Sequence, residues 1–143
     1  KNYSHAFADF SRAIEINPRY AAAHANRGLV RLAKGDPNGA ITDCDQAINI
    51  DPNFALAYLY RGHAKQRVQD LSGAITDYTR AINIDPNFAL AYLNRGQAKE
   101  GTQDLPGAVA DYQKTLEVAP KNWPHRKAAE KLLAQTQKKL RGK

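Results

Sequence analysis

Four prolines divide this chain of 143 residues at a constant interval of 34 residues. They are Pro18, Pro52, Pro86 and Pro120. Alanine, glycine and arginine keep the same step, at Ala6, Ala40, Ala74 and Ala108, at Gly28, Gly62 and Gly96, and at Arg27, Arg61 and Arg95. A fixed period of this length is the signature of repeat proteins, whose fold follows from stacking one small unit. The sequence therefore predicts a repeat protein.

The positive charge of the chain lies at its C-terminal end. The formal net charge is +7, but residues 1–120 hold 13 basic and 13 acidic residues, and residues 121–143 hold the other eight basic residues and one acid. The repeats are therefore neutral, which argues against a nucleic-acid groove along them, and no nucleic-acid partner is expected. No apolar run approaches the roughly 20 residues that span a bilayer.

The numbers of cysteine and methionine residues bear on the environment and origin of the chain. Its one cysteine, Cys44, excludes an internal disulfide framework and leaves the compartment open, with the cytoplasm preferred. There is no methionine, so we expect the chain to be a processed or excised piece of a longer protein.

Each period contains two helical patterns, as residues 53–86 illustrate. Asn53 is expected to cap the first helix, and Asp70 the second, through their side-chain oxygens. Spacings of three and four residues mark one face of each helix, at Ala57, Tyr58, Arg61, Gly62, Ala64 and Lys65, and then at Ala74, Ile75, Tyr78, Ala81 and Ile82. Pro86 ends the unit, because proline has no N–H to continue a helix. The unit is therefore a helical hairpin with helices of about 14 residues, or roughly 20 Å.

Small residues predict where the two helices approach each other. Glycine inside a helix costs about 1 kcal/mol relative to alanine, so its recurrence implies a packing requirement. We expect Gly62 and Ala74 to meet across the hairpin, where a larger side chain would hold the backbones apart.

This pattern resembles the tetratricopeptide repeat (TPR) family, in which small and large residues occupy fixed places in a helix–turn–helix of 34 residues. The matching residues are Tyr58, Gly62, Ala74, Tyr78, Ala81 and Pro86 in one unit, and Tyr92, Gly96, Ala108, Tyr112 and Pro120 in the next. The Asn-Arg-Gly sequences at 26–28 and 94–96 are similar to a variant of bacterial members. The resemblance implies an all-α, right-handed superhelix of antiparallel helix pairs.

The repeat register divides the chain, as a single domain over residues 1–143, into five segments. Residues 1–20 hold the second helix of a truncated first repeat, residues 21–54, 55–88 and 89–122 are three repeats, and residues 123–140 form a basic capping helix. A capping helix with a polar outer face is what the last unit of a solenoid requires. Since a second helix packs on both sides, the N-terminal helix is expected to leave an apolar face open and to promote self-association.

No residue pattern supports catalysis or metal binding. The arginines at the repeat period are expected to pair with aspartates of the second helices, Asp43, Asp77 and Asp111, because a guanidinium near a core needs a planar acceptor. The four histidines form no pair with metal-ligand spacing, and Cys44 stands where an inward aromatic is usual. We therefore expect no enzyme activity, no metal and no cofactor.

The family resemblance implies a scaffold that binds a peptide or protein segment in the concave groove lined by the first helix of each repeat. The groove positions would be Asn26, Leu29, Leu56, Leu59, Tyr60, His63, Arg67, Leu90, Leu93, Asn94 and Gln97. The alternative for the leucines is packing against neighbouring helices. Family members that bind chaperone tails use a clamp of lysines, asparagines and an arginine, and this chain lacks its basic residues.

Two other functions remain open from the sequence. The basic residues of the C-terminal segment, such as Lys127, Lys131 and Lys138, could bind anionic lipid or nucleic acid by releasing counterions. The chain could also be a regulatory segment of a larger enzyme.

Overall fold

The structure is a computed structural model that describes residues 2–142. Over this range it is all-α and contains no strand. The eight helices are α1 (Tyr3–Ile16), α2 (Ala21–Ala33), α3 (Pro37–Ile50), α4 (Ala55–Arg67), α5 (Leu71–Ile84), α6 (Ala89–Gly101), α7 (Leu105–Val118) and α8 (Arg126–Arg141). No helix in the described part of the chain is long and apolar enough to cross a membrane.

The helices stack in chain order into a solenoid. Helices α2 and α3, α4 and α5, and α6 and α7 form three hairpins, and each second helix (α3, α5 or α7) also packs on the helix that follows it. The first helices (α2, α4 and α6) contact one another across hairpins, whereas the second helices of residues 2–142 have no comparable contact. The first helices therefore line the inner side of the curve, and the predicted superhelix is confirmed.

Aspartates start the second helices, as the sequence predicts. The side chains of Asp36, Asp70 and Asp104 each accept a hydrogen bond of 2.9 Å from the backbone N–H of a glycine three residues later. This satisfies one of the backbone donors that the first turn of a helix leaves unpaired.

The first helices start differently, and the cap predicted at Asn53 is wrong. Helix α4 begins after Phe54, and no side chain caps it. Instead, the backbone N–H of Asn53 donates to Asp51, and the hydroxyl of Tyr58 donates to the carbonyl of Pro52. These two hydrogen bonds fix the turn that precedes α4 in place of a side-chain cap.

Two of the glycines at the repeat period, Gly62 and Gly96, lie against an aromatic ring of the second helix, whereas Gly28 lies against the Ala40 carbonyl and the Cys44 sulfur. A Cβ atom on Gly62 would lie 2.7 Å from Cε1 of Tyr78, and one on Gly96 would lie 2.6 Å from the same atom of Tyr112. The nearest neighbour of Gly62 across the hairpin is therefore the ring of Tyr78, and the predicted contact with Ala74 stays a prediction. The aromatic ring of the second helix fills the space that glycine leaves open.

Helix α8 takes the place of a further first helix at the C-terminal end. Its fully buried residues, Ala129 and Thr136, repeat the spacing of seven found at Ala91 and Ala98 of α6. Ala129 packs in a cluster with Ala108 and Tyr112 of α7, beside Leu132 and Leu133. The helix begins at Arg126, later than predicted, because two turns that meet at Trp123 precede it.

Polar contacts also join α8 to the last hairpin, and the one at Glu100 involves a charged pair. Glu100 accepts hydrogen bonds from the Tyr112 hydroxyl at 2.6 Å and from Lys139 Nζ at 3.0 Å. Gln66 occupies the matching position one repeat earlier and accepts only the bond from Tyr78, at 2.9 Å. The carboxylate at position 100 therefore adds a charge-assisted bond to α8 that an amide would not provide.

We expect the docking of α8 to weaken in acid through Glu100. Burial alone would raise the pKa of Glu100, but the bonds from Tyr112 and Lys139 outweigh it and hold the pKa below its usual value. The stabilisation is therefore present above the pKa of the unfolded chain and is lost as pH falls through the lowered pKa of the folded state. Fluorescence of Trp123, the single tryptophan, should report this transition.

The Glu100→Gln variant should lack this acid transition, because its amide keeps the bond to Tyr112 without a titrating charge. Glu117→Gln removes an exposed carboxylate and is the matched control. An unchanged acid transition in Glu100→Gln would contradict the assignment.

Candidate peptide-binding groove

The arginines at the repeat period are structural, as the sequence predicts. In each hairpin the Nε and Nη2 atoms of arginine donate to the two carboxylate oxygens of aspartate, at 2.9 and 2.7 Å. The pairs are Arg27 with Asp43, Arg61 with Asp77, and Arg95 with Asp111. The aspartate side chains are buried, so this planar, two-bond geometry satisfies their charge.

Two further contacts occupy each of these sites. The Nη1 atom of each arginine donates to the second helix of the preceding unit, at Ser11, Asp45 and Thr79 in turn. A second cation one helical turn later also pairs with the aspartate, namely Arg31, Lys65 and Lys99. The bonds to Asp77 and Asp45, opposed by burial, raise the pKa of Arg61. These arginines are therefore not a free row for anion binding.

Cys44 is a core residue. Its side chain is fully buried, and burial raises the pKa of the thiol to about 12. The thiolate needed for nucleophilic attack is therefore scarce at neutral pH. Within residues 2–142, no group of three or more histidine, cysteine or acidic side chains is placed to hold a metal ion.

The predicted groove would lie along the inner faces of α2, α4 and α6. Leu56, His63, Arg67 and Gln97 are exposed there. Four other predicted groove residues are partly buried, namely Asn26, Tyr60, Leu90 and Asn94. This surface combines apolar side chains with amides and a single exposed cation.

Two predicted groove residues are not available to a ligand. Leu59 and Leu93 are only 3% and 5% exposed. Leu59 belongs to the core cluster around Tyr78, and Leu93 packs beside Tyr112 and Ala129. For these two leucines, the alternative of packing between helices is therefore the correct one.

Leu29 lies at the end of the groove rather than within it. Together with Val30 and Ala33 of α2, it lines a cleft against Tyr3 and Ala6 of α1. Sequence reasoning placed Leu29 with the other groove positions because it has the same register. The difference arises because α1 is the first helix of the described stack.

His63 is expected to contribute a neutral ring to the groove. Although part of the side chain is exposed, desolvation of the rest, and then the nearby charge of Arg67, lower the pKa of His63. A neutral imidazole offers one donor and one acceptor, which suits hydrogen bonds to peptide groups.

Comparisons with known proteins agree with this architecture. One family model, described as "Tetratricopeptide repeat", matches residues 21–54, and another, described as "TPR repeat", matches residues 69–103. The comparison with curated protein sequences gives no match. The two matches identify tetratricopeptide repeats within residues 21–54 and 69–103 of the chain.

Solved structures share the fold. The first TPR of Spaghetti (RPAP3), bound to the HSP90 peptide SRMEEVD, is 25% identical, with a TM-score of 0.77 over 84% of this chain and 92% of that one. The Sgt2 TPR domain of Aspergillus fumigatus is 23% identical, with a TM-score of 0.79 over 85% of this chain and 79% of that one. The TPR2B domain of yeast Sti1, in complex with pHsp70, is 21% identical, with a TM-score of 0.79 over 83% and 97%.

Proposed function

We propose that this chain is a non-catalytic scaffold that holds a peptide or protein segment of a partner in the groove of its first helices. The observation that carries the proposal is the group of side chains on the inner faces that the core leaves accessible, Leu56, His63, Arg67 and Gln97. The peptide complex of Spaghetti and the pHsp70 complex of yeast Sti1 support a peptide-binding use of the same fold.

The chemistry of the groove favours a neutral peptide with an aliphatic or aromatic anchor. Leu56, Tyr60 and Leu90 offer apolar contact area, and the amides of Asn94 and Gln97 can bond to the backbone of an extended peptide. An acidic segment such as SRMEEVD needs several cations, which this surface does not offer. The proposed partner therefore differs in charge from that of the Spaghetti domain.

The Leu56→Asp variant should lose the partner that the wild-type chain captures from a cell extract. The new charge would have to be buried against an apolar anchor of the peptide, which is unfavourable. Capture should be compared by pull-down and mass spectrometry, with helix content checked by circular dichroism.

Leu140→Asp is the matched control, because Leu56 and Leu140 are both 38% exposed and Leu140 lies on α8, outside the groove. This variant should keep the partner. Capture of the same partner by wild type and Leu56→Asp would move the binding site away from the groove.

A second candidate function uses the outer face of α8. Lys127, Lys131, Lys138 and Arg141 are exposed and fall within an arc of about 80° at 100° per residue. Among residues 2–142 none of the four forms an ion pair. A row of cations that the protein does not neutralise itself can attract an anionic surface.

Vesicles containing phosphatidylserine should bind the wild-type chain at low salt through this row. The Lys127→Gln, Lys131→Gln, Lys138→Gln triple variant should lose most of this binding. Changing Arg12, Arg19 and Lys34 to glutamine removes the same charge from exposed sites elsewhere and should leave most of it. If the two triple variants lost vesicle binding equally, the binding would depend on net charge and not on the row of cations on α8.

A further inference from the structure

Asn38, in the first turn of α3, is the one asparagine of the chain that is followed by glycine. Asparagine is a chemically labile residue. The backbone nitrogen of the next residue can attack its side-chain carbonyl carbon, and glycine in that place hinders the attack least because it has no Cβ atom. Asn38 is also exposed to the water that the reaction consumes. It is therefore the asparagine of this chain most prone to deamidation.

The glycine of this pair is required by the helix cap. A Cβ atom on Gly39 would overlap the carboxylate of Asp36, which accepts a hydrogen bond from the Gly39 N–H. Gly73 and Gly107, in the first turns of α5 and α7, lie against their cap aspartates in the same way. Glycine at this place therefore serves the start of all three second helices.

The residue before the glycine differs between the hairpins. It is Asn38 in the first, Ser72 in the second and Pro106 in the third. The cap is made with all three, so it does not require asparagine. Serine and proline have no side-chain amide to lose. The reactive pair is therefore specific to the hairpin of α2 and α3.

The same hairpin has an additional bond to its cap. Nη1 of Arg31 donates to Oδ2 of Asp36 at 2.9 Å, while Nε of Arg31 donates to Asp43. At the corresponding positions Lys65 and Lys99 each pair, within residues 2–142, only with the buried aspartate of their own hairpin. Arg31 therefore strengthens the cap in the one hairpin whose glycine follows an asparagine.

The cap opposes deamidation in two ways. The Gly39 nitrogen must lose its proton before it attacks, and a negative charge on that nitrogen would be repelled by the carboxylate of Asp36, 2.9 Å away. The bonds from Gly39 and then Arg31 lower the pKa of Asp36, so this carboxylate is charged at neutral pH. The helical backbone also directs the Gly39 N–H to Asp36 and not to the side chain of Asn38.

We propose that Asn38 is a site of spontaneous deamidation that the Asp36 cap suppresses and that reacts when the first turn of α3 opens. In the open turn a base removes the proton of the Gly39 nitrogen, which then bonds to Cγ of Asn38. The bond from Cγ to Nδ2 breaks, and Nδ2 takes up a proton and leaves as ammonia. Water opens the resulting cyclic imide at either carbonyl, so the product is aspartate or isoaspartate. Water is the only co-reactant.

The isoaspartate product prevents the turn from closing as before. Its main chain runs through the former side chain, which adds one carbon atom between Cα of residue 38 and the nitrogen of Gly39. The Gly39 N–H is thereby displaced from Asp36, and a backbone donor of the first turn loses its partner. Each opening of the turn can therefore lead to a permanent loss of the cap.

Incubation of the purified chain at mildly alkaline pH, followed by peptide mapping with mass spectrometry, measures the rate at Asn38. A peptide with the sequence of residues 34–44 gives the rate without the fold. The folded chain should react at least about tenfold more slowly, because the turn must first open. Asn53 and Asn87, each followed by phenylalanine, are internal references and should react more slowly than Asn38.

Two substitutions test the role of the cap. Asp36→Ala should speed deamidation of the folded chain about fivefold, the effect of losing an N-cap bond. Arg31→Lys keeps the charge and introduces the residue found in the other two hairpins, and it should speed the reaction about twofold by removing the bond to Asp36. The same Asp36→Ala change in the peptide should leave the rate near that of the unchanged peptide.

Asp70→Ala is the matched control, because it removes the corresponding cap of α5. It should leave the rate at Asn38 unchanged, since the reactive turn lies in the preceding hairpin. Equal acceleration by Asp36→Ala and Asp70→Ala would assign the reaction to global unfolding and overturn the proposal. Equal rates for the folded chain and the peptide would overturn it as well.

The reacted chain tests the permanent change. Its added negative charge allows separation by ion exchange, and fragmentation in the mass spectrometer identifies the isoaspartate form. This form should melt at a lower temperature than the unreacted chain. Asn38→Asp controls for the charge and should melt no lower than the wild type, because a negative charge in the first turn of a helix is favourable. An isoaspartate form as stable as the wild type would overturn the proposed loss of the cap.

Discussion

Replacing Arg61 by alanine is expected to lower the free energy of unfolding by about 3 kcal/mol, because it leaves a buried carboxylate without its main partner. The side chain of Asp77 is 3% exposed and accepts two bonds from Arg61, and after the change only Lys65 would face it. Bonds from Arg61 to Asp45 would be lost as well. Urea denaturation followed by circular dichroism measures the change.

The control is an arginine in an exposed ion pair. Arg12 lies 3.7 Å from Glu15, with side chains 76% and 69% exposed, and Arg12→Ala should cost less than about 0.5 kcal/mol. A double-mutant cycle on Arg61 and Asp77 should give a coupling energy above about 1 kcal/mol. Equal losses for Arg61→Ala and Arg12→Ala, or no coupling, would contradict the structural role of the pair.

The Gly62→Leu variant should lose about 2–3 kcal/mol of stability through overpacking. A Cβ atom at this position would already lie 2.7 Å from the Tyr78 ring, which is fully buried and has no room to turn away. Leucine is a better helix former than glycine, so the loss cannot arise from helix propensity. Thermal unfolding measures it.

Ala128→Leu is the control for Gly62→Leu, because it places the same side chain on an exposed helix position. Its stability should stay near that of the wild type. A Gly62→Leu variant as stable as the wild type would show that the hairpin opens at this contact at little cost.

Contacts that are present in every repeat could be predicted from the sequence. Arg61 and Asp77 could be paired from the sequence because both residue types return every 34 positions, and a guanidinium that recurs near a core needs an acceptor. The caps at Asp36, Asp70 and Asp104 are predictable for a local reason. An aspartate before a helical pattern is itself the signal for a cap.

The errors concern distances between helices, which the period does not encode. Gly62 and Ala74 share the small size expected at a contact, but their spacing does not reveal that the ring of Tyr78 is the nearest neighbour of the glycine. Leu59 and Leu93 have the register of groove residues, and their burial depends on neighbouring core residues that lie elsewhere in the chain. The position of a residue within the repeat therefore does not distinguish a buried side chain from an exposed one.

The contact between Glu100 and Lys139 has a partial signal in the sequence. Glu100 is acidic, whereas the residue at the same position of the preceding repeat is the amide Gln66. Because an acidic residue replaces an amide in the repeat that precedes the basic C-terminal helix, the change indicates an ion pair with a lysine or arginine of that helix. Its partner, 39 residues away, could be identified only from the structure.

The hydrogen bonds that Nη1 of Arg27, Arg61 and Arg95 donates to the preceding unit bear on how the solenoid unfolds. In a stacked array, stability is a sum of terms for each unit and for each junction between neighbours. The junctions are unequal here, since Arg27 and Arg95 cross them to the hydroxyls of Ser11 and Thr79, whereas Arg61 crosses to the carboxylate of Asp45. The junction between α3 and α4 therefore has a charge-assisted bond that the other two lack, and we expect it to be the last of these three junctions to open.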